Sequence, residues 1–423
     1  MKNFKDSIGF HLTVIIVFSV CIRLLAGYAD GWNFDQRNLE YHIIAKNMVE
    51  KGEYAMDFRE YGEYKAVIAP GYTLVIYSAY KTFGIHPWIM IPFQIISMTA
   101  FSIIIYMIAR LLFGCNMIAF IAGVLATLHP GILYYSVGYI HEFDLYLPLF
   151  YACVLLFCLI LKNSCWKYFI LLGLTGGVGV LTRGTLLPFL VLGLLFCLIY
   201  PFPSKNDFAG RLLKVATALA IAVIINIPWT VRNYMVFGKV IYSQTSKWEQ
   251  FWVGNNPEAT GSHFRTDGTT VLSHKPSEMQ EEINASDSEI KDDQIFRKYS
   301  LKYVSGHPAD FIKGIFRKGI YFWWFNPQTG LFYPKSYLVA YKIMYIGILG
   351  FSFAGLWICW RRKLFCMEMV FPFLLMFGIW GVHTLNFSEM RHRWTVEPVL
   401  LIFASVAIFF LADKFLSRKE IYK

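Results

Sequence analysis

Long runs of apolar residues, separated by shorter polar stretches, recur along almost the whole chain. A helix needs about 20 mainly apolar residues to cross the hydrocarbon core of a bilayer, and most of these runs are close to that length. Together with the flanking Lys and Arg residues they predict ten transmembrane helices, at 8–27, 88–109, 116–135, 143–161, 167–182, 185–201, 211–228, 338–359, 366–385 and 395–413. The runs 167–182 and 185–201 are short, so one broken element is an alternative there.

This pattern predicts an all-α polytopic membrane protein with two polar segments on one side. The predicted organisation is an N-terminal transmembrane catalytic module at 1–227, which includes an external loop at 28–87. An external loop with short helices follows at 228–337, and C-terminal transmembrane helices occupy 338–423.

Composition and charge support the membrane assignment and orient the chain. Of 423 residues, 56% are hydrophobic, 18% aromatic and only 16% charged, which is far from a soluble composition. The net charge of +11 does not indicate nucleic-acid binding, because most basic residues flank apolar runs on one side. By the positive-inside rule that side is cytoplasmic. We therefore expect a multi-pass protein of the inner (plasma) membrane, with both termini cytoplasmic and both polar segments on the external or periplasmic face.

Each polar segment contains predicted helices. In the first, LEYHIIAKNMVEKG places Tyr41, Ile44 and Met48 at helical spacing and ends at Gly52, which predicts a helix on the membrane surface. In the second, the pattern Ser286-x-x-Glu289 predicts a capping box before a helix that ends near Gly306. An amphipathic interfacial helix is predicted after that residue.

The external face also collects ionisable residues that topology does not explain. Carboxylates supply general bases, and arginines bind phosphate with paired donors. Such groups are costly at membrane depth and call for a function or a partner. The candidates are Asp35, Glu40, Lys65, Glu142, Arg183, Arg232, Arg391 and Arg393.

Each candidate also has a purely structural interpretation. Asp35 is placed to cap the first surface helix, and Glu142 suits a helix N-terminus. Arg183 is able to snorkel to the interface, and Arg391 can form a surface ion pair with Glu389. The eight cysteines lie in apolar runs or at the cytoplasmic ends, so neither a disulfide framework nor a zinc site is expected. No cofactor is predicted, although a divalent metal is not excluded.

Several short motifs occur in a characteristic order. They are EYHIIAKNMVEKGEY after Asp35, APGYTLVIY, LHPGILYYSVGYIHEFDL, LLGLTGGVGVLTRG, IPWTVRNYMVFGKV, WVGNNPEATG, and RHRWTVEP at the last span. Together they resemble the GT-C glycosyltransferases of the protein O-mannosyltransferase and lipid A aminoarabinose transferase superfamily, over nearly the whole chain. In that family the acid of the first loop stands four residues before the helix tyrosine, where this chain has Arg37. Both Asp35 and Glu40 therefore remain candidates for the base.

The resemblance implies a membrane enzyme that transfers one sugar, with inversion, from a polyprenyl-phosphate carrier to a hydroxyl of a lipid, glycan or protein acceptor. It implies Asp35, Glu40 and Glu142 as catalytic residues. It implies that the donor phosphate is bound by the basic candidates, which are Lys65, Arg183, Arg232, Arg391 and Arg393. Glu397 is expected to pair with one of these arginines. The alternatives are a transporter or flippase of lipid-linked sugars, or an O-antigen ligase or polymerase. Neither the sugar nor the acceptor follows from the sequence.

Overall fold

The computed structural model describes residues 7–32, 40–57, 62–200, 208–331 and 333–421. The helices at the ten predicted spans are α1 (Ile8–Asp30), α4 (Ile91–Phe113), α5 (Asn116–Leu128) with α6 (Pro130–Gly138), α7 (Phe143–Lys162), α8 (Trp166–Thr182), α9 (Leu186–Ile199), α10 (Phe208–Phe237), α15 (Lys335–Arg361), α16 (Val370–Leu385) and α18 (Glu397–Ile421). The remaining elements are α2 (Glu40–Glu50), β1 (Met56–Asp57), β2 (Glu63–Tyr64), α3 (Pro70–Phe83), α11 (Lys247–Gly254), α12 (Ser277–Asn284), α13 (Glu289–Gly306), α14 (Pro308–Trp323) and α17 (Met390–Trp394).

The predicted all-α membrane architecture is confirmed. Within the described residues, six helices are long and apolar enough to cross a membrane, and the bent pair α5 and α6 makes a seventh candidate. The shorter helices α8 and α9 are apolar as well. Side chains from α4, α5, α7, α8, α9, α15, α16 and α18 form one continuous hydrophobic core. The chain is therefore a multi-pass membrane protein.

The fifth and sixth helices correct one prediction, because the span 116–135 is not straight. Its two halves meet at a bend of 48°. Pro130 has no N–H to continue the helix, and it forces the residue before it into an extended conformation. His129 accordingly has ψ 111°, and its Nδ1 accepts a hydrogen bond from the Ile132 N–H at 3.2 Å. The break turns the His129 ring toward the bundle interior.

Two further differences concern the second polar segment. The predicted loop begins at Pro228, whereas α10 continues through this proline to Phe237, so the predicted boundary at 227/228 lies within a helix. The predicted capping box is wrong. Ser288, and not Ser286, caps α13 by accepting a hydrogen bond from the Ile290 N–H. The Glu289 carboxylate instead accepts hydrogen bonds from the Lys65 N–H at 3.1 Å and from the Thr245 hydroxyl at 3.2 Å.

The two polar segments form a single layer on one side of the helix bundle. We call this the loop layer; it contains the described parts of residues 40–83 and 238–334. Thr245 N–H donates to Ala66 O at 2.9 Å, and the Tyr64 hydroxyl donates to the Asp292 carboxylate at 2.5 Å. These bonds fix the segment that carries Lys65. They also place α2 and α3 over the ends of α7 and α8.

Candidate active site

An ion pair between Glu142 and Arg183 lies where two antiparallel helices meet the loop layer. Glu142 directly precedes α7 and Arg183 directly follows α8, so both side chains lie at the same end of the bundle. The guanidinium Nη1 of Arg183 contacts the Glu142 carboxylate, and the guanidinium also lies 4.9 Å from the centre of the Tyr146 ring. The Glu142 side chain keeps 9% of its surface exposed and the Arg183 side chain keeps 20%. The pair is thus largely buried but still reachable from the loop face.

The start of α3 packs against the last residue of α8, next to Arg183, because a glycine lets the backbones of the two helices approach. A Cβ on Gly71 would collide with Thr182, the last residue of α8. The PGY motif therefore positions the start of α3 beside Arg183. A larger side chain at Gly71 would push α3 away from the site.

Helix α2 brings Tyr41 onto the Glu142 carboxylate. The Tyr41 hydroxyl lies close enough to the Glu142 carboxylate to interact with it. Burial raises the pKa of Tyr41 well above its usual value, and the Glu142 charge adds to this effect, so the phenol stays protonated and donates. Glu40 precedes Tyr41 at the start of α2 and is partly exposed. Asp35 lies outside the described residues.

Arg391 lies on the opposite wall of the same region, on the short helix α17. Its Nε is 3.1 Å from the Glu389 carboxylate, and its side chain remains 35% exposed. The guanidinium also lies close enough to the Tyr135 hydroxyl to interact with it. Arg183 and Arg391 are close enough for their charges to act on each other, and each is paired with a carboxylate, Glu142 and Glu389 respectively.

His141 lies between these two arginines. Burial lowers its pKa well below the usual histidine value, and the charges of Arg391 and Arg183 lower it further. The imidazole is therefore neutral at physiological pH. Its Nδ1 accepts a hydrogen bond from the Phe143 N–H at 3.1 Å, which stabilises the turn that carries Glu142.

Arg393 is placed quite differently from Arg391. Its side chain is fully buried and forms an ion pair with Glu397 at 2.6 Å, as predicted for one of the arginines. Its other nitrogens donate to Tyr341 Oη at 3.2 Å and to Phe322 O at 3.4 Å. His129 Nε2 contacts Glu397 at 2.5 Å. Arg393 thus belongs to a closed polar network inside the bundle, and we do not include it in the candidate site.

Lys65 and Arg232 also lie apart from the Glu142 and Arg183 pair. Arg232 donates to Lys65 O at 2.7 Å and to Tyr54 O at 3.1 Å, and so holds the first polar segment against α10. The Lys65 ammonium is exposed and lies 3.3 Å from the Glu63 carboxylate. In this geometry Arg232 has a structural role, whereas Lys65 remains available at the surface.

Sequence reasoning missed several members of the site. Tyr41 and Tyr135 were identified only as helix-face or motif residues, and His141 was not considered. The order His141-Glu142 after the PGILYYSVGY motif was the available signal. Within the described part of the chain, no group of three or more His, Cys, Asp or Glu side chains is arranged to hold a metal ion.

Comparison with known proteins identifies the architecture. Residues 68–229 match the sequence model of the family described as dolichyl-phosphate-mannose-protein mannosyltransferase; the match includes Glu142 and Arg183. No curated protein matches the sequence significantly. The structure of the archaeal oligosaccharyltransferase AglB from Archaeoglobus fulgidus, in complex with an inhibitory peptide and a dolichol-phosphate, aligns with a TM-score of 0.59 at 14% identity. The alignment covers 99% of this chain and 52% of AglB.

The fold is that of the GT-C membrane glycosyltransferases. ArnT from Cupriavidus metallidurans, bound to undecaprenyl phosphate, aligns with a TM-score of 0.50 at 15% identity over 93% of this chain and 59% of that chain. The GT-C resemblance inferred from the sequence motifs is therefore confirmed for the fold. This chain therefore spans little more than half the length of these AglB and ArnT structures.

Proposed function

We propose that this protein is a GT-C glycosyltransferase that moves one sugar from a polyprenyl-phosphate carrier to an acceptor hydroxyl. The observation that carries the proposal is the cluster of Glu142, Arg183 and Arg391 at the loop face of a GT-C bundle. The matched AglB and ArnT structures contain dolichol-phosphate and undecaprenyl phosphate, which supports the same class of donor here. Acceptors compatible with this chemistry are lipids, glycans and proteins.

The cluster supplies the charges that such a transfer requires. The acceptor oxygen forms a bond to the anomeric carbon, while the bond from that carbon to the phosphate oxygen breaks with inversion. Arg391 and Arg183 stabilise the negative charge that develops on the departing lipid phosphate. The acceptor proton passes to a carboxylate. Asp35 is our first candidate for that base and Glu40 the second, since α2 carries Glu40 next to the hydroxyl donor Tyr41.

Glu142 has a supporting role in this scheme. Its contacts with Arg183 and Tyr41 orient the carboxylate. It can therefore hold Arg183 in place for the phosphate and accept a hydrogen bond from the acceptor. Lys65, exposed on the same layer, is a further candidate for contact with the donor as it enters.

The cellular setting is part of the proposal. Basic residues concentrate at the ends of the spans away from the loop layer, which supports a cytoplasmic location for those ends. The loop layer and the active site then face the periplasm or the exterior, and the protein resides in the inner membrane.

Two other functions would also use intramembrane charges, namely transport of a lipid-linked sugar and ligation or polymerisation of a preassembled oligosaccharide. A transporter commonly has internal repeats, which this sequence does not display, whereas a surface enzyme explains the loop layer. Purified protein incubated with radiolabelled polyprenyl-phosphate monosaccharides and a membrane extract tests the proposal. Label should move to an acceptor, and Glu142→Gln should slow the transfer. Movement of intact donor across proteoliposomes without cleavage would instead identify a transporter.

A further inference from the structure

The segment 385–389, which runs from the last residue of α16 to the start of α17, is joined to the loop layer by several hydrogen bonds. We call it the approach segment because it leads to Arg391. Leu385 O accepts hydrogen bonds from Asn255 Nδ2 at 2.8 Å and from Lys318 Nζ at 3.2 Å. Ser388 N–H donates to Gly261 O at 2.9 Å. Asn326 Nδ2 donates to Ser388 O at 3.3 Å. Four contacts thus join the loop layer to a stretch of five residues.

Lys318 of α14 makes the central contact. Its side chain is fully buried, and its ammonium donates to Asn255 Oδ1 at 2.7 Å, to Gly254 O at 3.2 Å and to Leu385 O. An ammonium has three N–H groups, and here each has an oxygen acceptor. Lys318 therefore joins the end of α11 to the end of α16. The three acceptors offset only part of the cost of burying an ammonium, because burial, with a further contribution from the Arg317 charge, lowers the pKa of Lys318 to about 7.

A glycine brings the two ends close enough for one ammonium to bridge them. A Cβ on Gly254 would collide with the backbone carbonyl of Asn386. This close approach accounts for the glycine that begins the GNNP motif. The adjacent asparagine of the same motif, Asn255, supplies both an acceptor for Lys318 and a donor to Leu385 O.

The approach segment continues directly into the arginine site. Glu389 caps α17: its backbone N–H donates to His392 Nδ1 at 3.2 Å, and its carboxylate contacts Arg391. The His392 ring also stacks on His383 of α16, with 3.7 Å between the ring centres. The orientation of the Arg391 guanidinium therefore depends on the position of residues 385–389. Misplacement by about 1 Å is enough to weaken the alignment of reacting groups severely.

We propose that Lys318 is a positioning residue for Arg391, through which the loop layer sets the geometry of phosphate binding. Lys318 does not contact the donor; it fixes the approach segment, which in turn orients Glu389 and Arg391. This inference rests on the proposed function, because it assigns the donor phosphate to Arg391. It adds a residue of the loop layer, and the GNNP motif that binds it, to the determinants of donor affinity.

A double-mutant cycle tests the coupling. The affinity of the purified protein for undecaprenyl phosphate is measured by calorimetry for the parent, Lys318→Met, Arg391→Met and the double variant. We expect Lys318→Met to weaken binding roughly tenfold, and Arg391→Met by about 10-fold to 100-fold. The double variant should bind no more weakly than Arg391→Met, because residues that act through one another are not additive. The matched control is Lys313→Met on the same helix, whose exposed ammonium contacts Asp310; it should leave the affinity unchanged.

The possible outcomes separate the two proposals. If the parent does not bind undecaprenyl phosphate, the proposed function is wrong. If the parent binds and Arg391→Met weakens binding, but the Lys318→Met loss is absent or adds fully to it, only the positioning role is wrong. If Lys318→Met does not fold, Asn326→Ala is tested in its place. This variant removes two side-chain hydrogen bonds, one from Asn326 Nδ2 to Ser388 O and one from the Thr329 hydroxyl to Asn326 Oδ1. It should weaken binding about 3-fold to 10-fold in the parent and not in the Arg391→Met background. Unchanged affinity in both backgrounds would overturn the inference.

Discussion

At the scale of single residues, the two arginines of the RHR motif have different surroundings. Residues two apart on a helix do not share a face, since successive side chains turn by about 100°. Arg391 accordingly faces the partly exposed site, whereas Arg393 is buried with Glu397. Replacing Arg391 should therefore affect donor binding, whereas replacing Arg393 should affect the stability of the fold.

Replacing Arg391 by Met should weaken donor binding by about 1.5 to 3 kcal/mol, the usual contribution of a hydrogen bond to a charged group. Lys at the same position should restore only part of the affinity, because it keeps the positive charge but cannot form the bidentate hydrogen bonds of a guanidinium. Donor titrations of both variants give this comparison. If Lys binds the donor as well as Arg does, Arg391 serves only as a membrane-interface anchor.

Replacing Arg393 by Met should instead lower the stability of the protein. The change removes the arginine partner of the buried Glu397, which keeps its contact with His129, and breaking a buried ion pair in this way typically costs about 3 to 5 kcal/mol. Thermal unfolding in detergent should show a clear loss for Arg393→Met and little change for Arg391→Met. Equal unfolding temperatures for the two variants would contradict the assignment of Arg393 to the closed network.

The identity of the general base is a separate question at this scale. If Asp35 accepts the acceptor proton, Asp35→Asn should reduce turnover by ~10² to 10⁴ fold while donor binding is retained. Glu40→Gln should have a smaller effect. The reverse order, measured as initial rates of sugar transfer, would assign the base to Glu40 and leave Asp35 with a helix-capping role.

At the scale of elements, the N-terminus of α13 secures the loop layer. Its first turns contact the first polar segment through Glu289 and Asp292. Asp293 accepts a hydrogen bond from the Trp248 N–H of α11 at 2.7 Å. Burial raises the pKa of Asp293 to about 6, although this hydrogen bond opposes the rise. The folded loop layer therefore accommodates the neutral acid better than the carboxylate.

This shift predicts a pH-dependent effect of one substitution. Because the folded-state pKa lies above the ordinary value of about 3.9, Asp293 reduces the free energy of unfolding progressively as the pH rises from about 4 to about 6. Asp293→Asn removes this loss. The unfolding temperature of the variant relative to the parent should increase as pH is raised from 4 to 7. Asp287→Asn is the control and should not show this rise, since Asp287 is exposed and its hydrogen bond from Lys291 lowers the pKa of Asp287 instead of raising it. A difference for Asp293→Asn that does not change with pH would contradict the prediction.

The elements also show which parts of the structure the sequence could predict. Apolar runs are local signals, so every predicted span carries a helix, and the spacing of Arg393 and Glu397 permits their ion pair. Contacts between distant segments leave no local signal. Nothing in the sequence around Glu289 shows that its carboxylate binds the backbone at Lys65, and nothing near Lys318 indicates its contact with Leu385 O. The site was therefore predicted as a set of residues, and only the fold distinguishes the clustered ones from Arg232 and Arg393.

At the scale of the whole molecule, the position of the loop layer determines which face carries the candidate site. α10 ends and α15 begins at this layer, and α15 then crosses the bundle to Arg361. Residues near 270 and residues near 362 therefore lie on opposite sides of the bundle. The distribution of basic residues indicates which side is cytoplasmic, because cytoplasmic loops are enriched in Lys and Arg. Arg361, Arg362 and Lys363 form one such group.

Topology reporters test this orientation directly. An enzyme reporter that is active only outside the cytoplasm should be active when fused after residue 270 and inactive when fused after Arg362. A reporter that is active only in the cytoplasm should give the opposite result at each site. Arg183 and Arg391 lie on the face of the bundle that the loop layer covers, so under the proposed function external activity at residue 270 means that the donor must present its phosphate on that face. If the two fusions gave the reverse pattern, sugar transfer would be cytoplasmic, and the proposed location of the active site would have to be abandoned.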